Sequence, residues 1–322
     1  MDDLARNNAH ELLMNSLRSV QALLDDRRVQ EIMINGPDDV WVERAGEGIT
    51  KTDIAVSDVE IRSTIRLLAS IENKDVRDRG KDSIVDARIT GFRFAAAMKP
   101  TSLLGPSLSI RKHSPVHLGL NDYVSQGAVS EDMATLLRSM IRDKKNVLVA
   151  GGTSSGKTTF VNALIAEVDQ AERVVTIEDT QELAVKAPNW VALVSNEQEG
   201  VTTRDLVRLS LRFRPDRIIV GEVRGAEAFD LLDASNTGHD GCMATLHAND
   251  SRGALSRFES LVLRSGINWP HQAIKAQIAD SFDYVVHMAR INGKRLLREI
   301  LAVKGFDYET GLYDTESIYS LS

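Results

Sequence analysis

The sequence predicts a chain of two domains, a smaller α+β domain followed by a larger α/β one, and three observations carry that expectation. At 322 residues the chain is long enough for two cores, each of roughly 150 residues. Before residue 114 the strand-like segments are joined by turn residues, whereas beyond residue 130 short, continuously apolar strands alternate with helices, the pattern of a parallel sheet covered on both faces. Between them, Ser114 to Ser130 lose periodicity and carry Pro115, Gly119, Asn121, Gln126 and Gly127, a linker composition. The expected organisation is an amino-terminal α+β domain over 1–114, a linker over 115–130 and the α/β domain over 131–322.

From His10 to Leu24, the residues Leu13, Leu17, Val20 and Leu24 recur at three- and four-residue spacing, which predicts one amphipathic helix. Its polar face mixes charge signs and lacks the Lys/Arg excess of interfacial helices, which favours packing on a core over lying on a membrane. Glu31 to Ile34 and Val40 to Glu43 flank Asn35-Gly36-Pro37-Asp38 and read as a hairpin. Val59 to Ile71 is expected to be helical, with Ile61, Ile65, Leu68 and Ala69 on one side and Ser57-Asp58 as the cap. Strands are expected at Ser83 to Ile89, Phe92 to Met98 and Ser107 to Lys112. The second domain reads as helix Glu131 to Arg142, strand Val147 to Ala150, helix Lys157 to Glu167, and strands Arg173 to Ile177 and Arg217 to Val220. A last hairpin joins Tyr284 to Met288 with Leu296 to Val303 around Asn292-Gly293.

Composition narrows the function. Hydrophobic residues at 43% and charged residues at 26% are those of an ordinary globular chain. The 46 acids against 39 Lys plus Arg give a net charge of −7, which argues against a broad basic face, so stable sequence-specific DNA binding is not expected. A single cysteine, Cys242, forms no intramolecular disulfide and no cysteine-rich zinc cage, which fits a reducing, cytoplasmic compartment. Met1-Asp2-Asp3 lacks the layout of a signal peptide and no apolar run is long enough to span a bilayer. Any membrane contact is therefore expected to be peripheral.

The sharpest signal is Gly151-Gly152-Thr153-Ser154-Ser155-Gly156-Lys157-Thr158, a complete phosphate-loop pattern, followed by Thr159. A strand feeds into it and a helix leaves it, so backbone N–H groups and the helix dipole converge on a polyphosphate. Lys157 is expected to reach the β and γ phosphates and the Thr158 hydroxyl to ligate Mg²⁺. The strand Arg217 to Val220 runs into Glu222, the carboxylate such a fold needs for the metal shell or a water. After Ile177, three acids crowd into Glu178-Asp179-Thr180-Gln181-Glu182, which would repel a triphosphate unless metal is present or one acid holds the attacking water. The competing reading is a helix amino terminus enriched in acids. Thr158, Glu178 and Glu222 are the candidate metal neighbours. His239 and His247 lie in polar surroundings, where a neutral imidazole senses a γ phosphate by hydrogen bonding. Among the arginines, Arg93, Arg111, Arg212 and Arg214 are candidates for the further cation of phosphoryl transfer.

Together the phosphate loop, the acidic box Thr176 to Leu183, the segment Leu211-Arg-Phe-Arg-Pro-Asp-Arg-Ile-Ile-Val-Gly-Glu-Val-Arg-Gly225 and the box Thr237 to Asn249 resemble the bacterial secretion ATPases. Glu31-Ile-Met-Ile-Asn-Gly-Pro-Asp-Asp-Val-Trp-Val-Glu43 and Gly91-Phe-Arg-Phe94 resemble the type IV secretion traffic ATPases within that superfamily, and the TrbB-like conjugal transfer branch most. The resemblance implies a RecA-like P-loop NTPase domain preceded by the smaller α+β domain, Mg²⁺-dependent hydrolysis of ATP between the domains, and homo-hexameric rings on the cytoplasmic face of the inner membrane. It implies as partners the inner-membrane components of a type IV secretion system and a coupling protein. By the same resemblance Glu182 is the catalytic glutamate, Glu222 the acid of the metal-associated strand, Arg93 and Arg111 the amino-terminal arginines that reach phosphate, and His247 the histidine-box residue. One cysteine disfavours the type II secretion branch with its four-cysteine zinc module. The leading expectation is an ATPase that drives conjugative pilus assembly or substrate transfer by domain motion. The alternatives are a pilus-retraction motor, a nucleotide-gated scaffold with incidental hydrolysis, and a nucleic-acid helicase.

Overall fold

The structure, a computed structural model, describes residues 11–44, 46–72, 74, 76–77, 80–89, 91–112, 118–291 and 293–321. It divides into two compact units, Met1–Pro115 and Val116–Ser322. Asn292 of the expected turn, His10, residues 113–114 and residues 115–117 of the expected linker lie outside the described residues.

The first unit is built on a six-stranded antiparallel sheet of order β3-β2-β1-β6-β5-β4. Its strands are β1 (Val29–Gly36), β2 (Asp39–Arg44), β3 (Gly48–Lys51), β4 (Ile84–Ile89), β5 (Phe92–Ala97) and β6 (Ser107–Lys112). Two three-stranded meanders are thus joined where β1 pairs with β6. The β1–β2 turn is tighter than its four-residue signal, because Gly36 pairs with Asp39 and only Pro37 and Asp38 remain between. Helix α1 (Asp58–Ile71) is capped by Ser57, whose side chain accepts from the Glu60 N–H, and it buries Ile61, Ile65, Leu68 and Ala69 as its periodicity predicts.

Residues 11–25 do not form one helix. A helical turn over 11–16 gives way to a 3₁₀ turn, Arg18–Val20, and then to a short α-helix, Gln21–Asp25. The cause is tertiary: Ser19 turns its N–H to Glu60 Oε1 (3.2 Å) and its hydroxyl to Glu60 Oε2 (2.8 Å), so α1 captures the backbone that a continuous helix needs. Leu13, Leu17, Val20 and Leu24 are nevertheless all buried in the core of this unit. At roughly 1.5–3 kcal/mol per buried aliphatic side chain, core packing accounts for that apolar stripe.

The second unit is a three-layer α/β arrangement. Its eight strands run β14-β13-β12-β7-β11-β10-β8-β9. They are β7 (Val147–Gly151), β8 (Val174–Glu178), β9 (Trp190–Val194), β10 (Arg217–Val220), β11 (Met243–His247), β12 (Tyr284–Ile291), β13 (Lys294–Asp307) and β14 (Leu312–Ser320). From β12 to β9 every neighbouring pair is parallel, and β13 and β14 extend the sheet antiparallel. Alternate residues feed two cores: Val147 and Val149 point to one, Leu148 and Ala150 to the other.

The stretch expected as a linker is folded where it is described. Helix α2 (Leu120–Ser125) buries Leu120 and Tyr123, and Ala128 and Val129 follow them into the same core. Tyr123 sits edge-on to Phe160 with ring centroids 5.3 Å apart. Polar residues on its solvent side gave the segment a linker composition, while four apolar positions decide its structure. Helix α3 (Glu131–Arg142) follows, and α4 (Lys157–Ile165) leaves the phosphate loop. Four further helices, α5 (Thr203–Ser210), α6 (Glu227–Asn236), α7 (Ser251–Arg264) and α8 (His271–Ser281), pack on the opposite face of the sheet. Among the described residues no helix is long and apolar enough to cross a membrane.

Candidate nucleotide site

Four segments singled out in the second unit lie at the same end of the sheet's strands. The phosphate loop follows β7, the acidic box follows β8, Glu222 follows β10, and His247 ends β11. These are carboxyl ends of parallel strands, where α/β sheets open to bind ligands.

The loop backbone is shaped by glycine at two positions. A Cβ on Gly151 would stand 2.4 Å from the Met288 carbonyl oxygen and 2.5 Å from Ser155 Oγ, so no side chain fits. Gly156 has φ +91°, and its Cβ would meet Arg295 Cδ at 2.9 Å. Arg295 braces the loop from β13, its Nε donating to the Ser154 carbonyl at 3.2 Å. Gly156 is also the N-cap of α4 and offers no side-chain acceptor, so the first N–H groups of the helix remain for a ligand. Gly152 and Thr153 are exposed, Ser154 takes φ 57°, and Thr158 and Thr159 stand half-buried in the first turn of α4. Ser155 is buried, and its Oγ has no hydrogen-bond partner among the described residues. A cradle that excludes Cβ atoms, an uncapped helix start and an orphan hydroxyl together fit a phosphate.

Lys157 is buried to 7% exposure. Its ammonium donates to the carbonyls of Gly151 (3.0 Å) and Gly152 (2.9 Å) and lies 3.4 Å from His247 Nδ1. Burial lowers its pKa, and the nearby Glu222 partly opposes that shift. His247 Nε2 stands 3.1 Å from Glu222 Oε1. An ammonium on Nδ1 makes that nitrogen the acceptor and leaves the proton on Nε2, which donates to Glu222. Burial, and then the charge of Lys157, lower the His247 pKa, which favours this neutral tautomer. Glu222 Oε2 also accepts from Arg224 Nη2 (2.7 Å), and Arg224 Nη1 donates to Asp179 Oδ2 (2.9 Å). One polar chain, Asp179–Arg224–Glu222–His247–Lys157, therefore links the ends of four strands.

The acidic box ends β8 at Glu178 and continues as an irregular loop, not a helix amino terminus. Glu178 is turned inward, packed so closely on Gly221 that a Cβ there would meet Glu178 Cγ at 2.9 Å. Its Oε1 accepts from the N–H groups of Glu182 (2.8 Å) and Leu183 (2.9 Å), and burial pushes its pKa up to about 7. This geometry makes Glu178 a brace for the loop. Glu182 is exposed, and its charge is felt by Lys157. Among the described residues no group of three or more His, Cys, Asp or Glu is arranged to hold a metal ion. A magnesium ion at Thr158 and Glu222 would accordingly draw most of its shell from phosphate oxygens and water.

His239 lies apart from this chain, with Nδ1 3.3 Å from the Ala234 carbonyl. Arg212 belongs to a 3₁₀ turn, Leu211–Phe213, and Arg214 follows it at φ 50°. Arg93 and Arg111 belong to the first unit, directly opposite each other across β5 and β6. Arg93 pairs with Asp86 and Arg111 with Glu31, both at 3.1 Å. Asn162, Arg224 and Arg295 were not singled out in the sequence. Arg224 lies inside a quoted segment, two residues after Glu222, and that proximity is its only signal. The partners of Asn162 and Arg295 are brought together by folding alone.

A family model described as "Type II/IV secretion system protein" matches residues 14–300. The conjugal transfer protein TrbB of Rhizobium radiobacter is 36% identical over 299 residues, 91% of this chain and 88% of that protein. Among solved structures, the VirB11 ATPase of the Brucella suis type IV secretion system, in complex with sulphate, superposes with a TM-score of 0.50 at 27% identity, covering 92% of this chain and 96% of that one. The Legionella pneumophila ATPase DotB shares the fold with a TM-score of 0.63 at 20% identity, over 91% of this chain and 80% of that one.

Proposed function

The chain belongs to the Type II/IV secretion system protein family, and we propose that it is the ATPase that powers a type IV secretion or conjugal transfer apparatus. The observation that carries this reading is the buried Lys157 ammonium, held at the phosphate loop and joined through His247 to Glu222. Relatives named for conjugal transfer and type IV secretion, matched over most of their length, support the choice of process.

In the proposed cycle the N–H groups at the start of α4 and the Ser155 hydroxyl grip the phosphates of ATP. Lys157 exchanges the Gly151 and Gly152 carbonyls for phosphate oxygens. Thr158 and Glu222 hold Mg²⁺, which when bound neutralises charge on the phosphates. Glu182 accepts a proton from the attacking water as its oxygen bonds to the γ phosphorus and the bond to the ADP oxygen breaks. Neutral His247, with Nδ1 on Lys157 and Nε2–H on Glu222, registers whether the lysine is engaged with ligand. Arg93 and Arg111 of the first unit supply further cations to the phosphates. Hydrolysis changes the charge held at the phosphate loop, and a conformational equilibrium that depends on that charge converts hydrolysis into motion. The protein works as a homo-hexameric ring on the cytoplasmic face of the inner membrane, docked peripherally on other components of the apparatus.

The test is Glu182→Gln. The expected variant binds ATP as the parent does, releases phosphate at least about 100-fold more slowly, and supports no substrate transfer when it replaces the parent protein. Transfer at the parental rate by this variant would make nucleotide binding the driver and overturn the reading.

A further inference from the structure

We infer that Asn162 is a positioning residue for hydrolysis, whose side-chain amide fixes Glu182 relative to the phosphate loop. The inference rests on the assignment of Glu182 as the residue that activates water.

Residues 179–189 belong to neither helix nor strand, so their peptide groups lack the partners a regular element supplies. Around Glu182 side chains provide them instead. The N–H groups of Glu182 and Leu183 go to Glu178 Oε1. On the other side, Asn162 Nδ2 donates to the Glu182 carbonyl at 2.9 Å and Asn162 Oδ1 accepts from the Ala184 N–H at 2.9 Å. One primary amide thus pairs with the backbone on both sides of Leu183, as a neighbouring strand would. The Leu183 side chain, 2% exposed, is pressed into the core that also contains Phe160, Val161 and Leu164 of α4. Glu182 is therefore held through its N–H by Glu178 at the end of β8 and through its carbonyl by Asn162 of α4, while its side chain is exposed.

The position of Asn162 on α4 gives the tie its meaning. Residues four apart share a helix face, so Asn162 lies directly beyond Thr158, the residue assigned to the metal and phosphate. The face of α4 that presents Thr158 to the ligand also carries the amide that holds Glu182. Its helix sets both ends of the distance between the γ phosphate and the base. Misplacement of about 1 Å at such a position costs about 100-fold in rate.

The experiment is a double-mutant cycle on the full chain, with phosphate release and ATP affinity measured for the parent, Asn162→Ala, Glu182→Gln and the double variant. Asn162→Ala is expected to lower kcat about 10- to 100-fold while leaving KM and ATP affinity within about twofold. In the Glu182→Gln background the same substitution is expected to lower the residual rate no further, because the group it positions is already gone. Asn162→Asp, which keeps the acceptor for Ala184 but sets a carboxylate oxygen against the Glu182 carbonyl, is expected to lower kcat at least as much as Asn162→Ala, and it carries the test if Asn162→Ala does not fold. An unchanged kcat in Asn162→Ala, or an equal fold-loss in both backgrounds, overturns the inference and leaves Glu182 in its role. If Glu182→Gln itself turns over at the parental rate, the assignment of Glu182 falls and the inference with it.

Discussion

The two units hold their charges in opposite ways. In the first, Arg93 and Arg111 stand on regular strands and are answered by Asp86 and Glu31 from adjacent strands. In the second, Lys157 is buried at the first residue of α4, where its ammonium donates to the carbonyls of its own loop and meets a histidine whose pKa is lowered. An ion pair on a sheet is a finished interaction. An ammonium kept out of water by neutral acceptors is held ready for a stronger anionic one.

The largest effect separating the units is therefore expected at Lys157. Lys157→Ala should lower phosphate release about 100- to 1,000-fold, by analogy with loss of a single preorganised charge donor, and should not lower Tm, since it removes a desolvated ammonium. Next is backbone shape. Gly151→Ala forces a Cβ into the Met288 carbonyl and should cost about 3 kcal/mol in denaturant unfolding. Gly48→Ala, at φ +84° with no neighbour within 4 Å, should cost only about 1 kcal/mol.

The third prediction concerns pH. Burial raises the Glu178 pKa from 4.5 to about 7, so the folded state holds its proton more tightly than the unfolded chain. The stability this contributes is complete below the unfolded value and is lost as pH rises through the folded one. Glu178→Gln should match the parent near pH 4.5 and exceed it by about 1–3 kcal/mol above pH 7, read as the difference in denaturant midpoint at the two values. Smallest in stability are Arg93→Ala and Arg111→Ala. Their pairs are partly exposed and should be worth under about 1 kcal/mol. Each substitution should still slow phosphate release about tenfold or more if these arginines reach the nucleotide. Unchanged release would return them to plain sheet surface and sharpen the contrast between the units.

The sequence was readable where local chemistry and final structure agree. Helix Glu131–Arg142 and strands Ser107–Lys112 and Arg217–Val220 lie at their expected bounds, because caps, apolar runs and flanking turns all point the same way. Strand β11 was hidden: Met243–His247 is five residues inside a run of Gly, Ser, Thr and Asn, and it is held by parallel neighbours distant in the chain. Helix 10–24 failed for a related reason, since Glu60 on another element claims the Ser19 backbone. The phosphate loop was legible because binding an anion with main-chain groups demands glycines at fixed spacing. The roles of Arg224 and Asn162 were not, because each depends on where a second loop comes to rest.

The most direct test of the central claim, that Lys157 is poised for nucleotide phosphate, is calorimetric titration of Mg-ATP into the folded parent protein and into Lys157→Ala. The account predicts saturable uptake of about one nucleotide per chain by the parent and none at the same concentrations by the variant. No uptake by the parent, or equal uptake by both, would contradict it.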